Sequence, residues 1–192
     1  MSKKVAICVG HSRLVAGNHE GGAISTGGVS EWKYNVNLSA MIVDELDKWG
    51  IQSVEFKTYE GRTYGTAVSW LAERIKAAKC GAAVELHFNS AAGAGATGHE
   101  WLHWFLSERG KSLARSIHQE YSKRVPELKS RGLKAIGAMD DRGAGFLRQT
   151  HCPAVIAEPF FGSNAQDWAI AQAKKPEIAK AIAAGIARFS KG

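Results

Sequence analysis

The chain lacks any long apolar run. Its most hydrophobic opening stretch, Val5 to Val9 behind Lys3 and Lys4, is too short for the core of a signal peptide, and no other stretch is long enough to span a membrane. The expectation is synthesis in the cytoplasm without a leader to direct export. Cysteine is sparse as well: Cys8, Cys80 and Cys152 are far apart, each in or beside an apolar segment. An odd, scattered set does not make a disulfide framework and reads as buried free thiols. The sharper alternative makes Cys152 a thiolate nucleophile, but Pro153 and the β-formers behind it read as a strand entrance. Internal repeats, an acidic tail and a Pro/Ser-rich linker are all missing, so a single domain over residues 1–192 is expected.

What is present suits a soluble globular protein: 45% hydrophobic and 22% charged residues. The 25 Lys and Arg against 18 Asp and Glu give a formal charge of +7, which biases encounters toward nucleic acid, acidic polymers or lipid head groups. Nucleic acid is not an expected partner, because basic and aromatic residues do not cluster and no known module is present.

Short apolar runs alternate with amphipathic helical patterns. Val5 to Val9 reads as a buried strand ending at Gly10-His11. Ser30 caps a helix with Leu38, Met41, Ile42, Leu46 and Trp49 at helical spacing, stopped by Gly50. Ile51 to Tyr59 reads as strand, Thr66 to Lys79 as helix, Ala82 to Phe88 as strand, and His99 to Leu106 as an aromatic-rich strand. Ser107 caps a helix running to about Val125. Residues 126–145, rich in glycine and charge, read as loop; Ala154 to Glu158 is a strand, and two short helices follow, the last opening at Pro176. The alternation predicts an α/β fold, a twisted, largely parallel or mixed sheet with helices on both faces. In such sheets ligands bind beyond the carboxyl ends of the strands.

Three apolar strands end in a residue able to bind metal or move protons: His11, His87 and Glu158. Glu31 sits in the first turn of the helix that follows the first strand. A crossover helix runs antiparallel to its strand, so Glu31 can reach His11. Singly, each has a plainer role: a structural hydrogen bond for the histidines, or a helix-dipole partner for Glu31. Four such groups at one edge favour a metal site. Two imidazoles and a carboxylate suit zinc and leave a coordination position open, and a second carboxylate can move a proton. Pro159 keeps Glu158 extended.

At these residues the chain resembles the zinc-dependent N-acetylmuramoyl-L-alanine amidases of the amidase-3 type, found in cell-wall autolysins and phage endolysins. The matching pieces are Val9-Gly10-His11, Gly28-Val29-Ser30-Glu31 leading into Asn37-Leu38, and Glu85-Leu86-His87-Phe88-Asn89-Ser90. They continue in Thr97-Gly98-His99-Glu100, Ser130-Arg131-Gly132-Leu133-Lys134, Phe146-Leu147-Arg148, Pro153 to Glu158, and Gly162-Ser163-Asn164. The resemblance implies that His11, Glu31 and His87 hold zinc and that Glu158 is catalytic. Asn89 is a candidate for touching substrate; Arg148, just upstream of the last strand, is either a partner for a substrate carboxylate or a surface charge. The implied substrate is peptidoglycan, cut between N-acetylmuramic acid and L-alanine. No separate wall-binding domain is expected, which with the missing leader points to a phage endolysin: a monomer made in the cytoplasm that acts at the wall after release. The pattern departs at Ser12, where the family usually has glycine, and at Asn18-His19-Glu20-Gly21-Gly22-Ala23, which stands in place of its Asp-x-Gly-Ala. Pro159-Phe160-Phe161 stands where a Gly-Phe pair is usual.

A rival motif is His99-Glu100-Trp101-Leu102-His103, a literal H-E-x-x-H that on a helix would make a zinc peptidase. The glycine-rich Ala91 to Gly98 before it and Ser107 after it favour a strand, which separates the two imidazoles. A third reading is a wall-binding module without catalysis, supported only by the positive charge. Trp32, Trp49 and Trp70 fall on helical patterns and read as core, and Trp101 and Trp104 fall on opposite faces of their strand. The final amphipathic stretch, Ile178 to Phe189, could touch a membrane, but docking on the sheet is the commoner fate and membrane contact is not expected.

Overall fold

The computed structural model describes residues 4–93, 95–137 and 143–191. Val5–Val9 forms β1, buried along its whole length. A strand buried on both faces belongs inside a sheet, and β1 pairs in parallel with β4 (Ser53–Phe56) on one side and β5 (Ala82–Leu86) on the other. β5 pairs in parallel with β8 (Ala154–Glu158). Beyond β8 the direction reverses: β6 (His99–Trp104) runs antiparallel to it with Glu100 opposite Glu158, and β7 (Ser130–Ile136) closes that edge parallel to β6. The order is β4-β1-β5-β8-β6-β7, the mixed form of the expected sheet. A short ribbon of β2 (Leu14–Val15) and β3 (Asn18–His19) stands apart, in the segment that joins β1 to the first helix.

Helices cover both faces. On one, Val5, Ile7, Val84, Leu86, Trp101 and Val155 meet α1 (Glu31–Lys48), α3 (Glu108–Arg124) and α6 (Lys175–Lys191). On the other, Ala6, Cys8, Ala83, Leu102 and Ile156 meet α2 (Tyr64–Ala77) and α4 (Ala144–Gln149). Neighbours such as Val155 and Ile156 part to opposite faces because side chains alternate along a strand. α5 (Ala165–Ala173) leads into α6. Ser30 and Ser107 cap α1 and α3 as their sequences suggest, each accepting a backbone N–H one turn in.

Several expectations need correcting. Residues 126–145 are not all loop: 130–136 form β7 and α4 begins at Ala144, while 138–142 lie outside the described residues. β7 escaped detection because it is an edge strand with largely exposed or half-exposed side chains, including Arg131 and Lys134, so no apolar alternation marks it. The closing helices are not both short, since α6 has 17 residues. Its apolar side is buried against α1 and α3, not simply laid on the sheet. Trp49 is not core; it ends α1 47% exposed, with the Lys191 ammonium over its ring at 4.8 Å. Trp32 is half-buried, stacked on His19, and its indole N–H donates to the Lys57 carbonyl. Trp70 is partly buried against the second core. All three cysteines are free, and burial pushes the Cys152 thiol up to about 12, which speaks against a thiolate nucleophile.

Candidate metal centre

The carboxyl ends of β1, β5 and β8 deliver His11, His87 and Glu158 to one edge of the sheet. His11 follows β1 by two residues, in a turn with φ 56°. Glu31 enters from the first turn of α1, a helix that packs against β1. Two glycines leave the room these side chains occupy. A Cβ on Gly10 would lie 2.2 Å from the His87 ring, and one on Gly22 2.6 Å from the His11 ring and 2.8 Å from Glu31 Oε2.

Glu31 is buried, and each of its oxygens is held. Oε1 accepts the Phe88 N–H at 3.0 Å and lies 2.8 Å from His87 Nδ1; Oε2 accepts the Ala23 N–H at 3.2 Å and lies 3.4 Å from His11 Nε2. Burial pushes its carboxyl up, but the hydrogen bond and charge of His87, with His11 and the Phe88 N–H, outweigh burial and hold it below the usual range. For His87, burial acts downward and is overcome by Glu31 and Glu85, which hold the imidazole well above its ordinary value. The two rings meet edge to face with centroids 5.1 Å apart.

One potential ligand atom from each of His11, Glu31 and His87 lies within 4.8 Å of the others, and among the described residues no other group of three or more His, Cys, Asp or Glu is so placed. A buried carboxylate and two imidazoles with converging nitrogens form a donor set suited to a divalent metal. Glu158 stands across from them, lining with His11, Tyr64 and His87 a cavity of about 240 Å³. A second cavity of about 210 Å³ opens on the other side of the same imidazoles, between Arg13, Glu20 and Tyr64.

The H-E-x-x-H motif does not make a second centre. It lies on β6, so its imidazoles are four strand residues apart, about 13 Å along the chain. His99 Nδ1 accepts the Trp101 indole N–H at 3.0 Å, and His103 Nδ1 lies 3.0 Å from the Trp104 carbonyl. Glu100 leaves the opposite face, where Asn89 Nδ2 and Arg131 Nε donate to it at 2.7 and 3.0 Å.

The family model for N-acetylmuramoyl-L-alanine amidases matches residues 5–188, nearly the whole chain. The chain belongs to that family. Its fold is similar to that of the catalytic domain of the CD27L endolysin targeting Clostridia difficile, at 28% identity over 95% of this chain and 96% of that one, with a TM-score of 0.79. It is also similar to the amidase AmiC2 of Nostoc punctiforme (20% identity, 99% and 98% covered, TM-score 0.80) and to the CwlD amidase of Clostridioides difficile (19%, 97% and 98%, TM-score 0.82). No match is found among curated proteins.

Within this amidase, the substrate candidates read from sequence do not join the cluster. Asn89 is occupied with Glu100 and, through its backbone, with Phe160 and Gly162; Arg148 is exposed on α4 and lines neither cavity. His19 is stacked on Trp32, whereas Glu20, paired with Arg13 at 3.0 Å, lines the smaller cavity beside His11 and His87. The structure instead adds Tyr64, exposed on the first turn of α2 between the two cavities, and Glu85 with Tyr59 beneath His87. Glu85 carried a local signal, a carboxylate at an inward position of an apolar run. Tyr64 carried none.

Proposed function

We propose that the chain hydrolyses the amide joining the lactyl group of N-acetylmuramic acid to L-alanine in peptidoglycan, with zinc held by His11, Glu31 and His87. The observation that carries this reading is the convergence of those three side chains at one strand-end edge of an amidase-family fold. Zinc bound there would supply an acidified water and a Lewis acid for the scissile carbonyl. Glu158 takes a proton from the attacking water as its oxygen adds to the carbonyl carbon, then returns it to the amide nitrogen as the C–N bond breaks. The leaving L-alanine thereby departs as a neutral amine. The cavities on either side of His11 and His87 give room for both flanks of the bond.

The likeness to an endolysin catalytic domain, at 28% identity, supports assigning the chain to host-wall lysis. In that role it works as a monomer, made in the cytoplasm and reaching peptidoglycan once the inner membrane is breached. Mass spectrometry of digested peptidoglycan tests the bond. New free L-alanine amino termini paired with intact lactyl carboxylates are expected; cleavage between sugars or within the peptide stem, or no cleavage, would overturn the assignment.

A further inference from the structure

Glu85 has no local reason to be where it is. It lies in β5 at the centre of the sheet, 4% exposed, with Cys8 and Ile156 as its neighbours across the adjoining strands. Its side chain leaves the sheet on the same face as Ala83 and His87, toward the core that contains Ala6, Tyr59, Ala67 and Val68. A carboxylate buried in such surroundings is unfavourable unless its oxygens are satisfied. Both have partners. Tyr59 Oη donates to Oε1 at 3.1 Å, and His87 Nε2 lies 3.3 Å from Oε2. Tyr59 is itself fixed to the segment that carries His11, its N–H donating to the Ser12 carbonyl and its carbonyl accepting the Leu14 N–H.

A neutral imidazole carries one N–H, and the partner of that N–H decides which nitrogen keeps a free lone pair. His87 Nδ1 faces Glu31; Nε2 faces Glu85. We propose that Glu85, steadied by Tyr59, is a positioning residue that accepts the Nε2–H of His87 and so presents Nδ1 to the metal beside Glu31 and His11. This rests on the metal reading of those three residues. Glu85 itself is kept off the metal, because the imidazole ring stands between it and the ligand cluster. Local conflicts of this kind, a charge where the strand pattern calls for an apolar side chain, gather at functional sites.

The test uses the full chain and measures the zinc dissociation constant by competition with a chromophoric chelator. The melting temperature of the metal-free protein and the visible spectrum of the cobalt-substituted form are recorded alongside. For Glu85→Gln, nearly isosteric, the expected result is zinc affinity weakened about 10–100-fold, the usual consequence of losing a carboxylate that orients a ligating histidine. The metal-free melting temperature should stay within a few degrees of wild type, and the cobalt spectrum should shift. Tyr59→Phe, which leaves the carboxylate but frees it, should weaken zinc binding less. A merely structural carboxylate would do the reverse, lowering the melting temperature and leaving zinc affinity alone. Unchanged zinc affinity in Glu85→Gln overturns the inference; if that variant does not fold, the same result in Tyr59→Phe overturns it. A wild-type chain that takes up no zinc sinks the metal reading and this inference together, whereas equal zinc in wild type and variants sinks the role of Glu85 alone.

Discussion

Glu31 and Glu158 are carboxylates at the same edge of the sheet, and their surroundings fit them for different work. Glu31 is enclosed, with both oxygens fixed by backbone N–H groups and imidazoles, which suits a ligand that must stay ionised and still. Glu158 ends β8 only half-buried, in the wall of the cavity it shares with His11, Tyr64 and His87. The two glutamine substitutions should therefore separate. Glu158→Gln should keep its zinc and fold while turnover falls by roughly 10²–10⁴-fold, the usual contribution of a positioned proton acceptor. Glu31→Gln should lose zinc affinity, since a neutral amide is a poorer ligand and would also face two fixed backbone donors with only one oxygen. His99→Ala and His103→Ala should leave zinc untouched. Zinc stoichiometry and dye release from labelled peptidoglycan read all four variants; metal lost from Glu158→Gln but kept by Glu31→Gln would mean the roles are exchanged.

At the scale of elements, the site depends on packing that lies far from it. α6 runs between α1 and α3, and Gly185 lets its backbone approach α3 so closely that a Cβ there would lie 2.4 Å from Ile117 Cα. Backbone cannot yield as a flexible side chain can, so Gly185→Ala should destabilise the fold by about 1–3 kcal/mol, the usual cost of overpacking. Chemical denaturation should show the lower midpoint while zinc affinity of the folded fraction stays at the wild-type value; an unchanged midpoint would mean the helices have slack. Elements like β1, β5 and β8 were legible in sequence because each is an apolar run closed by a residue of another chemistry. The caps Ser30 and Ser107 were legible because capping is local. β7 was not, because an edge strand answers to solvent on one side and needs no alternation. The function of Glu85 was hidden for a different reason. Its partner Tyr59 is 26 residues away, just past the end of β4, and meets it only when β4, β1 and β5 lie side by side. Glu100 shows the converse: the strand expected from its flanking residues is there, and it turns Glu100 away from His99 and His103 toward Asn89 and Arg131, whatever the local H-E-x-x-H pattern suggests.

Across the whole molecule, the ligand edge carries buried charges in compensating pairs, and the excess of basic residues is felt elsewhere. Arg109, Arg115 and Arg188, all exposed, line an open groove between α3 and α6 together with Phe189. They contribute to a formal charge of +7, which concentrates the protein near an anionic surface without any one contact deciding the outcome. Bacterial wall carries such charge, in the carboxylates of its peptide stems, so the fold's net charge should assist capture while the strand-end edge does the chemistry. The two can be measured apart with Glu158→Gln, which should bind wall without digesting it. Attraction between exposed charges is screened over about 10 Å at 0.1 M salt and about 3 Å at 1 M, so capture that depends on net charge must weaken steeply across that range. Sedimentation of Glu158→Gln with intact walls should therefore show a bound fraction that falls as sodium chloride rises from about 0.05 to about 0.5 M. Zinc content measured in the same samples should stay constant, because the ligands are held in a site where salt does not screen them to the same degree. A bound fraction indifferent to salt would show that capture rests on the substrate cleft alone and that the positive charge has no part in targeting.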